Sequence, residues 1–312
     1  MDKKISIIIP CKEIDSNTKK CIEECLKLDY KDFEIIVLPD KTEEKSKNKK
    51  IKIIITGKVT PAAKRNIGMK ESKGSFFAFI DSDAYPKKDW LKNAMKYFED
   101  DKIGIVGGPN LTPPEGNFAE HISGYVLDNY LACGRACIRY KEAENRFTHE
   151  LPSCNYIAKK ESSSKYDSSF LTAEDSEFCF TCTRKGYKIL YAGNVIVYHH
   201  RRKTFIEHLK QMFIYARDIA WMTKKIFTPW YFYYSTLSFF TINFFTFFFL
   251  SFFISIVRNI FLIFFCFYFI ILFITSWHKN IGISLIVTIM TMLTHFSYGI
   301  GFLYGLFKRK PQ

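Results

Sequence analysis

Beyond Thr228 the chain contains no acidic residue. All 31 Asp and Glu lie earlier, and the stretch up to Gln312 carries only Arg258, Lys279, Lys308, Arg309 and Lys310 as charged side chains. That stretch is dense in Phe, Ile, Leu and Tyr. It falls into three apolar blocks, 232–255, 260–277 and 282–306, each near the ~20 residues a helix needs to span hydrocarbon. The breaks between them, Arg258-Asn259 and His278-Lys279-Asn280, are short enough to predict tight helical hairpins. Three crossings from a cytoplasmic start would leave Lys308-Arg309-Lys310 outside, against the preference of basic residues for the cytoplasmic face. Two spans with one interfacial or re-entrant block, or four with the first block broken, would avoid this.

The part before Thr228 is of a different kind. Five of the 45 basic residues belong to the apolar stretch, which leaves 40 against 31 acidic ones, a net charge of +9. A basic domain beside a bilayer suits anionic headgroups and phosphorylated substrates. Nucleic acid is not expected, since no helix-turn-helix, zinc-finger or aromatic RNA-binding signature is present. Met1-Asp2-Lys3-Lys4 and the short apolar run after it do not read as a signal peptide. The expectation is a cytoplasmic domain with reduced thiols on a multi-pass cell-membrane anchor. Of the nine cysteines, Cys21 and Cys25 fall at helical spacing and read as core. Pairing Cys133/Cys137 with Cys179/Cys182 as a zinc site would be arbitrary.

Short apolar runs alternate with helical patterns through the first hundred residues. Ile5–Ile9 predicts a strand ended by Pro10, then a helix capped by Asp15 or Ser16 that turns Ile22, Cys25 and Leu26 inward. Phe33–Leu38 and Ile51–Ile55 are further strands, separated by a lysine-rich loop. Thr60-Pro61 opens a helix with threonine as cap and proline in the first turn, where its missing N–H costs nothing. The run Phe76-Phe77-Ala78-Phe79-Ile80 is apolar on both faces and leads into Asp81-Ser82-Asp83. It reads as a strand buried in the middle of a parallel sheet. A helix over Lys88–Phe98 and a strand over Ile103–Val106 follow. This order predicts an α/β, Rossmann-like, mostly parallel sheet, and right-handed crossovers place Asp40, Asp81 and Asp83 along one rim. Two close carboxylates at a strand end suit a hard divalent cation; a plain turn is the alternative. No dinucleotide or P-loop glycine pattern is present.

From Gly107 to Arg202 the alternation stops, which predicts an accessory subdomain completing a cleft. Thr172-Ala173-Glu174-Asp175-Ser176-Glu177 starts a helix, with Thr172 able to cap it. Val195–Tyr198 is a strand running into His199-His200-Arg201-Arg202. Phe205–Ile226 is amphipathic, with Phe205, Leu209, Met212, Phe213, Ala216 and Ile219 on its apolar face. It predicts a helix lying on the membrane surface. The expected organisation is a domain over 1–203, an interfacial helix over 204–227 and a membrane domain over 228–312.

Ile5-Ser6-Ile7-Ile8-Ile9-Pro10, the second strand ending at Asp40, Arg65-Asn66-Ile67-Gly68, Phe79-Ile80-Asp81-Ser82-Asp83 and Glu174-Asp175 occur in the order seen in family 2 glycosyltransferases of the GT-A fold, which this chain resembles over roughly residues 5–200. Gln211–Arg217 and His295–Phe302 look like the C-terminal part of membrane-anchored members of the succinoglycan-biosynthesis type. Two features depart from the pattern. The second strand ends Leu38-Pro39-Asp40 without further acidic residues, and the Q-x-x-R-W motif of processive synthases is absent, with Gln211, Arg217 and Trp221 spaced differently.

The resemblance implies roles for individual residues. Pro10, Glu13, Asp40, Arg65 and Asp81 would bind the nucleotide-sugar donor, with Asp40 at the nucleoside and Arg65 near the nucleotide or its diphosphate. Asp83 would hold Mn²⁺ or Mg²⁺, Asp81 the ribose or the metal, and His199 would be a further metal or phosphate contact for which His200 or Arg201 could substitute. Asp175 would be the general base and Glu174 would steer the acceptor. Gln211, Tyr215 and Arg217 would lie on the acceptor side, toward the membrane. The implied enzyme is inverting and metal-dependent. It would transfer a sugar from a nucleotide donor to a lipid-linked, polyprenyl-type saccharide at the cytoplasmic membrane face, in cell-surface glycan biosynthesis. Transfer to polyprenyl phosphate itself, polysaccharide synthesis, and a nucleotide-binding membrane partner without turnover are the alternatives.

Overall fold

The structure, a computed structural model, describes residues 3–169, 172–225 and 230–308. It divides into two units, Met1–Pro114 with Ile138–His200, and Glu115–Cys137 with Arg201–Gln312. Residues 115–137 therefore group with the C-terminal helices and not with the 1–203 domain expected from the sequence.

In the first unit the chain runs Ile5–Pro10 (β1), Ser16–Leu26 (α1), Phe33–Leu38 (β2), Ile51–Ile53 (β3), Pro61–Glu71 (α2) and Phe76–Phe79 (β4). Ala84–Pro86 (β5), Trp90–Tyr97 (α3), Ile103–Gly107 (β6) and Asn110–Leu111 (β7) follow. The chain then contributes Phe118–Leu127 (α4) and Tyr130–Cys133 (α5) to the second unit. It returns as Arg146–Thr148 (β8), Tyr156–Lys159 (β9), Glu174–Arg184 (α6), Lys188–Tyr191 (β10) and Val197–His199 (β11).

The main sheet has the order β3-β2-β1-β4-β9-β6-β10-β8. Six strands point one way; β9 and β8 run against them. The mostly parallel sheet read from the sequence is therefore present. The part after Gly107 adds strands to this sheet and forms a small second sheet, β5-β11-β7.

Strand alternation divides the core. Ile5, Ile7, Ile9, Ile35 and Val37 pack with α1 and α3 through Cys21, Cys25, Trp90 and Leu91. Ile8, Ile36, Phe77 and Phe79 point the other way, to Ala62 of α2 and to Phe178 and Cys182 of α6. Both faces are thus covered, as a sheet of near-continuous apolar strands requires. Cys179 and Cys182 are core residues of α6, and all nine cysteines are free thiols.

Local differences from expectation have local causes. Asp15 caps α1, accepting from both the backbone N–H (2.8 Å) and the hydroxyl (2.8 Å) of Thr18. That turns Thr18, Cys21 and Cys25 fully inward and leaves Ile22 and Leu26 at the edge of the core. Thr60 caps α2 as expected, and Pro61 occupies the first turn. Thr172 does not cap α6: Ala173 is the cap residue and makes no side-chain cap bond, although Glu174, Asp175 and Glu177 fill the first turn.

The second unit contains α4, α5, Phe205–Lys225 (α7), Trp230–Leu250 (α8), Ser255–Thr275 (α9) and Ile281–Phe307 (α10). Three helical stretches, Phe232–Leu250, Ser255–Thr275 and Ile281–Phe307, are long and apolar enough to cross a membrane. The first break falls at 251–254, and Arg258-Asn259 lies inside α9, corrected from a loop. Arg258 is exposed in the first turn of that helix, where a long side chain reaches the headgroups without ending the helix. The face of α7 bearing Ala216 and Ala220 packs on Phe302 of α10, so it is covered by protein instead of lying against a bilayer. Ile226 and Phe227, at the expected end of that helix, and Arg309 and Lys310 of the basic terminus lie outside the described residues.

Candidate active site

The site lies on the rim formed by the C-terminal ends of β1, β2 and β4. Parallel pairing aligns Pro10 with Leu38, and Ile8 with both Ile36 and Phe79. Asp40 and Asp81 each emerge two residues past a strand, so the register alone brings them to one edge. Asp81-Ser82-Asp83 forms a turn, in which Ala84 N–H donates to the Asp81 carbonyl (3.1 Å). The chain continues into β5, whose antiparallel pairing sets His199 opposite Ala84. That pairing delivers the third group. His199 Nε2 is 3.1 Å from Asp83 Oδ1, and ligand atoms of Asp81, Asp83 and His199 all lie within 4.8 Å of one another. Two carboxylates and an imidazole, with backbone turns holding both aspartates, fit a hard divalent ion such as Mn²⁺ or Mg²⁺. Burial disfavours a charged His199, but the Asp83 carboxylate, with Cys154 beside it, more than offsets this and raises its pKa to about 10.

Helix α2 ties down Asp40, Asp81 and Glu174 through two adjacent cations, and its next residue holds the Tyr166 backbone. Lys64, 3 % exposed, donates to the Cys11 carbonyl (2.6 Å), to the Leu38 carbonyl (3.1 Å) and to Asp40. Arg65, equally buried, donates through one amino nitrogen to Glu174 Oε1 (2.9 Å) and through the other to Asp81 Oδ1 (2.7 Å). Asn66 exchanges two hydrogen bonds with the Tyr166 backbone (2.9 and 2.8 Å). Both amino groups of Arg65 are thus engaged by carboxylates. Its position makes it a strut between the β4 end and α6.

Asp175 follows Glu174 in the first turn of α6. Its carboxylate accepts from Ser153 N–H (3.3 Å) and from Ser176 N–H (2.9 Å). Burial raises its pKa and nearby Glu150 raises it further, while Arg139 and Arg65 oppose the shift. Burial, with the adjoining Asp175 charge, lifts Glu174 to about 7 against the pull of Arg65. Oε2 of Glu174 is buried and makes no hydrogen bond.

Of the residues anticipated from the sequence, Asp40, Arg65, Asp81, Asp83, Glu174, Asp175 and His199 belong to this one unit and are joined as described. Pro10 is buried at the end of β1. Glu13 is exposed, and its carbonyl accepts from the Thr18 hydroxyl (3.2 Å). Gln211, Tyr215 and Arg217 lie on α7 of the second unit. There Gln211 donates to Tyr215 (2.7 Å), and Arg217 pairs with buried Asp218 (2.7 Å). Sequence reasoning missed Lys64, Ser153 and the Arg139–Glu150 ion pair. Only Lys64 carried a signal, as a cation on the helix already singled out.

Residues 6–157 match the family described as Glycosyl transferase family 2, a span that includes Asp40, Arg65, Asp81 and Asp83 and stops short of Glu174, Asp175 and His199. A Methanococcus voltae protein named dolichyl N-acetyl-alpha-D-glucosaminyl phosphate 3-beta-D-2,3-diacetamido-2,3-dideoxy-beta-D-glucuronosyltransferase is 26 % identical over 241 residues, covering 71 % of this chain and 74 % of its own length. Glycosyltransferase AglE of Haloferax volcanii is 24 % identical over 247 residues, covering 71 % and 75 %. Among solved structures, the mannosyltransferase PcManGT from Pyrobaculum calidifontis, in complex with GDP-Man and Mn²⁺, superposes with a TM-score of 0.53 at 16 % identity. That alignment covers 70 % of this chain and 63 % of the mannosyltransferase, and it shows a shared GT-A fold. With the family match lying over the strand-end carboxylates and the fold agreeing, residues 6–157 form a glycosyltransferase family 2 domain.

Proposed function

We propose that this enzyme is an inverting, metal-dependent transferase that moves a sugar from a nucleotide-sugar donor to a lipid-linked saccharide. The observation that carries the reading is the rim on which Asp40, Asp81, Asp83 and His199 gather at one end of Arg65 and Glu174-Asp175 at the other. A divalent ion held by Asp81, Asp83 and His199 would stabilise the charge that develops on the departing diphosphate. Asp40, fixed by Lys64, would contact the nucleoside.

In the reaction an acceptor hydroxyl attacks the anomeric carbon while the bond to the diphosphate breaks, its electron pair leaving with the phosphate oxygen. Asp175 takes the hydroxyl proton. Its raised pKa brings it closer to that task at neutral pH, where a positioned base is worth roughly 10²–10⁴-fold. One displacement inverts the anomeric centre, so a second nucleophile is not required.

The lipid-linked acceptor is supported by the apolar helices continuous with the site-bearing chain and by the names of the relatives, one of which is a dolichyl-linked sugar transferase. A cytoplasmic site on a multi-pass anchor is the matching location. The test is transfer by the purified full chain in vesicles containing polyprenyl-linked saccharides, with UDP-, GDP- and CMP-sugars and Mn²⁺ or Mg²⁺. Metal-dependent transfer to a lipid-linked saccharide, with inverted stereochemistry, is expected. Transfer only to polyprenyl phosphate, or turnover unaffected by chelation, would contradict the proposal.

A further inference from the structure

Three helices are apolar enough to cross a membrane, but the two ends of the last one are pinned to segments that the chain lays down before the first. At its start, α10 meets the loop-connected pair α4–α5. Ile122, Val126 and Ala132 pack with Val287 and Met290. Asn129 donates to Ser276 in the α9–α10 turn (3.0 Å), and the rings of Tyr125 and His278 lie 4.2 Å apart. At its far end, α10 meets the end of α7. Trp221 Nε1 donates to the Lys308 carbonyl (3.1 Å), and Lys224 donates to the Gly305 carbonyl (2.8 Å). The chain leaves α7 at Lys225 and starts α8 at Trp230. Both ends of α10 therefore belong with elements that precede the α8–α9 excursion.

Between its ends α10 is sheathed by polar-bearing helices. Its buried face carries Ser284, Thr288, Thr291, Thr294 and His295. His208 of α7 bridges Ser123 of α4 (2.6 Å) and Thr294 (3.0 Å), and His295 contacts the Leu131 carbonyl of α5 (2.8 Å). Glycines let α7 lie directly on α10: a Cβ at Gly301 would meet the Phe213 carbonyl at 2.3 Å, and one at Gly305 the Arg217 carbonyl at 2.4 Å. If α10 crossed the bilayer, α4 and α7 would have to follow it into hydrocarbon with Glu120, Asp128, Glu207, Lys210 and Arg217, which is costly. The opposite face of α10 is an exposed apolar stripe, Ile281, Leu285, Ile289, Leu293, Ile300 and Tyr304. In contrast, only 17 % of the 18-residue apolar stretch of α8 and 11 % of that of α9 is buried within the protein, against 39 % for that of α10.

We infer that only α8 and α9 cross the bilayer, as a hairpin. On this reading α10 stays in the leaflet from which α8 enters, its stripe against lipid and its other face against α4, α5 and α7, while the hairpin leans on its middle through Ser238 to the Gly299 carbonyl (3.0 Å) and Tyr268 to His295 (2.7 Å). Lys224, Lys279 and Lys308 then share one side, and Arg258, near the hairpin tip, faces the other. That distribution follows the bias of basic residues with the apparent conflict at the C-terminus removed. The inference rests on the membrane part of the proposed function but not on its chemistry.

Single cysteines introduced as Lys49→Cys, Phe252→Cys, Lys279→Cys and Lys308→Cys, in a background with the native cysteines replaced by serine, test it in sealed vesicles with a membrane-impermeant maleimide. Lys49→Cys, Lys279→Cys and Lys308→Cys should label together, and Phe252→Cys only from the opposite side. Lys308→Cys labelling with Phe252→Cys would show that α10 crosses, and Phe252→Cys labelling with Lys49→Cys would show that α8 does not; either would overturn the inference. Should the serine background not fold, fluorescent reporters fused to either end of the otherwise native chain replace it. Reporters on the same side support the hairpin, and reporters on opposite sides refute it. A chain recovered in the soluble fraction would sink the membrane reading itself, whereas absent sugar transfer with the expected labelling would leave the hairpin standing and refute only the chemistry.

Discussion

Asp175 shows how neighbours set a base. Burial and the Glu150 charge raise its pKa, and Arg139 and Arg65 lower it. Transfer by a carboxylate base requires the deprotonated form, so the rate should climb with pH through this raised value. Arg139→Gln removes an opposing cation and also leaves Glu150 unneutralised; both effects move the acid limb of kcat/KM to higher pH. Glu150→Gln removes a raising charge and should move the same limb to lower pH. A pH–rate profile of the two variants checks the signs. Asp175→Asn should cut kcat by roughly 10²–10⁴-fold with nucleotide affinity retained, measured by transfer assay and by titration calorimetry. At this scale the Asp81-Ser82-Asp83 motif and Glu174-Asp175 were legible, because each stands at a strand or helix end. The Ser153 hydrogen bond to Asp175 and the Arg139–Glu150 pair whose charges act on it were not legible, since the chain brings them there only by tertiary packing.

Helix α2 is the element on which the donor rim depends. Its start was readable to the residue: Thr60 accepts from Ala63 N–H (3.3 Å) and Pro61 follows. Thr60→Ala should cost about 1 kcal/mol of stability, read by chemical denaturation. What the sequence hides is that Lys64 and Arg65, adjacent in a polar-looking helix, are both buried and tie down three carboxylates from β2, the β4 end and α6. Arg65→Gln leaves two of them without their buried cation. Breaking such a pair typically costs about 3–5 kcal/mol, so the variant should be far less stable than Thr60→Ala in the same denaturation experiment. The inward face of α1 shows the opposite limit of sequence reading. Cys21 and Cys25 take the core as expected, but Ile22 and Leu26, expected inward with Cys25, sit at its edge while Thr18 is buried under the Asp15 cap.

At the scale of the whole molecule, the division between a charged α/β part and an apolar helical part could be read from the last acidic residue alone. Two features could not. The 115–137 segment groups with the C-terminal helices because Ile122, Val126 and Ala132 find their apolar partners there, a long-range contact with no local pattern. Helix α7, amphipathic as expected, spends that apolar face on α10 through Gly301 and Gly305. Gly305→Leu forces a side chain against the Arg217 carbonyl and Ala220; it should lower the melting temperature of the detergent-solubilised chain by several degrees, about the shift that 1–3 kcal/mol of overpacking produces.

The central claim is that Asp81, Asp83 and His199 form the metal-dependent nucleotide site of a glycosyltransferase. Titration calorimetry of the full chain with UDP and with GDP, with and without Mn²⁺, tests it most directly. Binding of one nucleoside diphosphate that requires the metal, and is lost in Asp83→Ala while the variant remains folded, is expected. Equal binding without metal, or unchanged metal-dependent binding in Asp83→Ala, would contradict it.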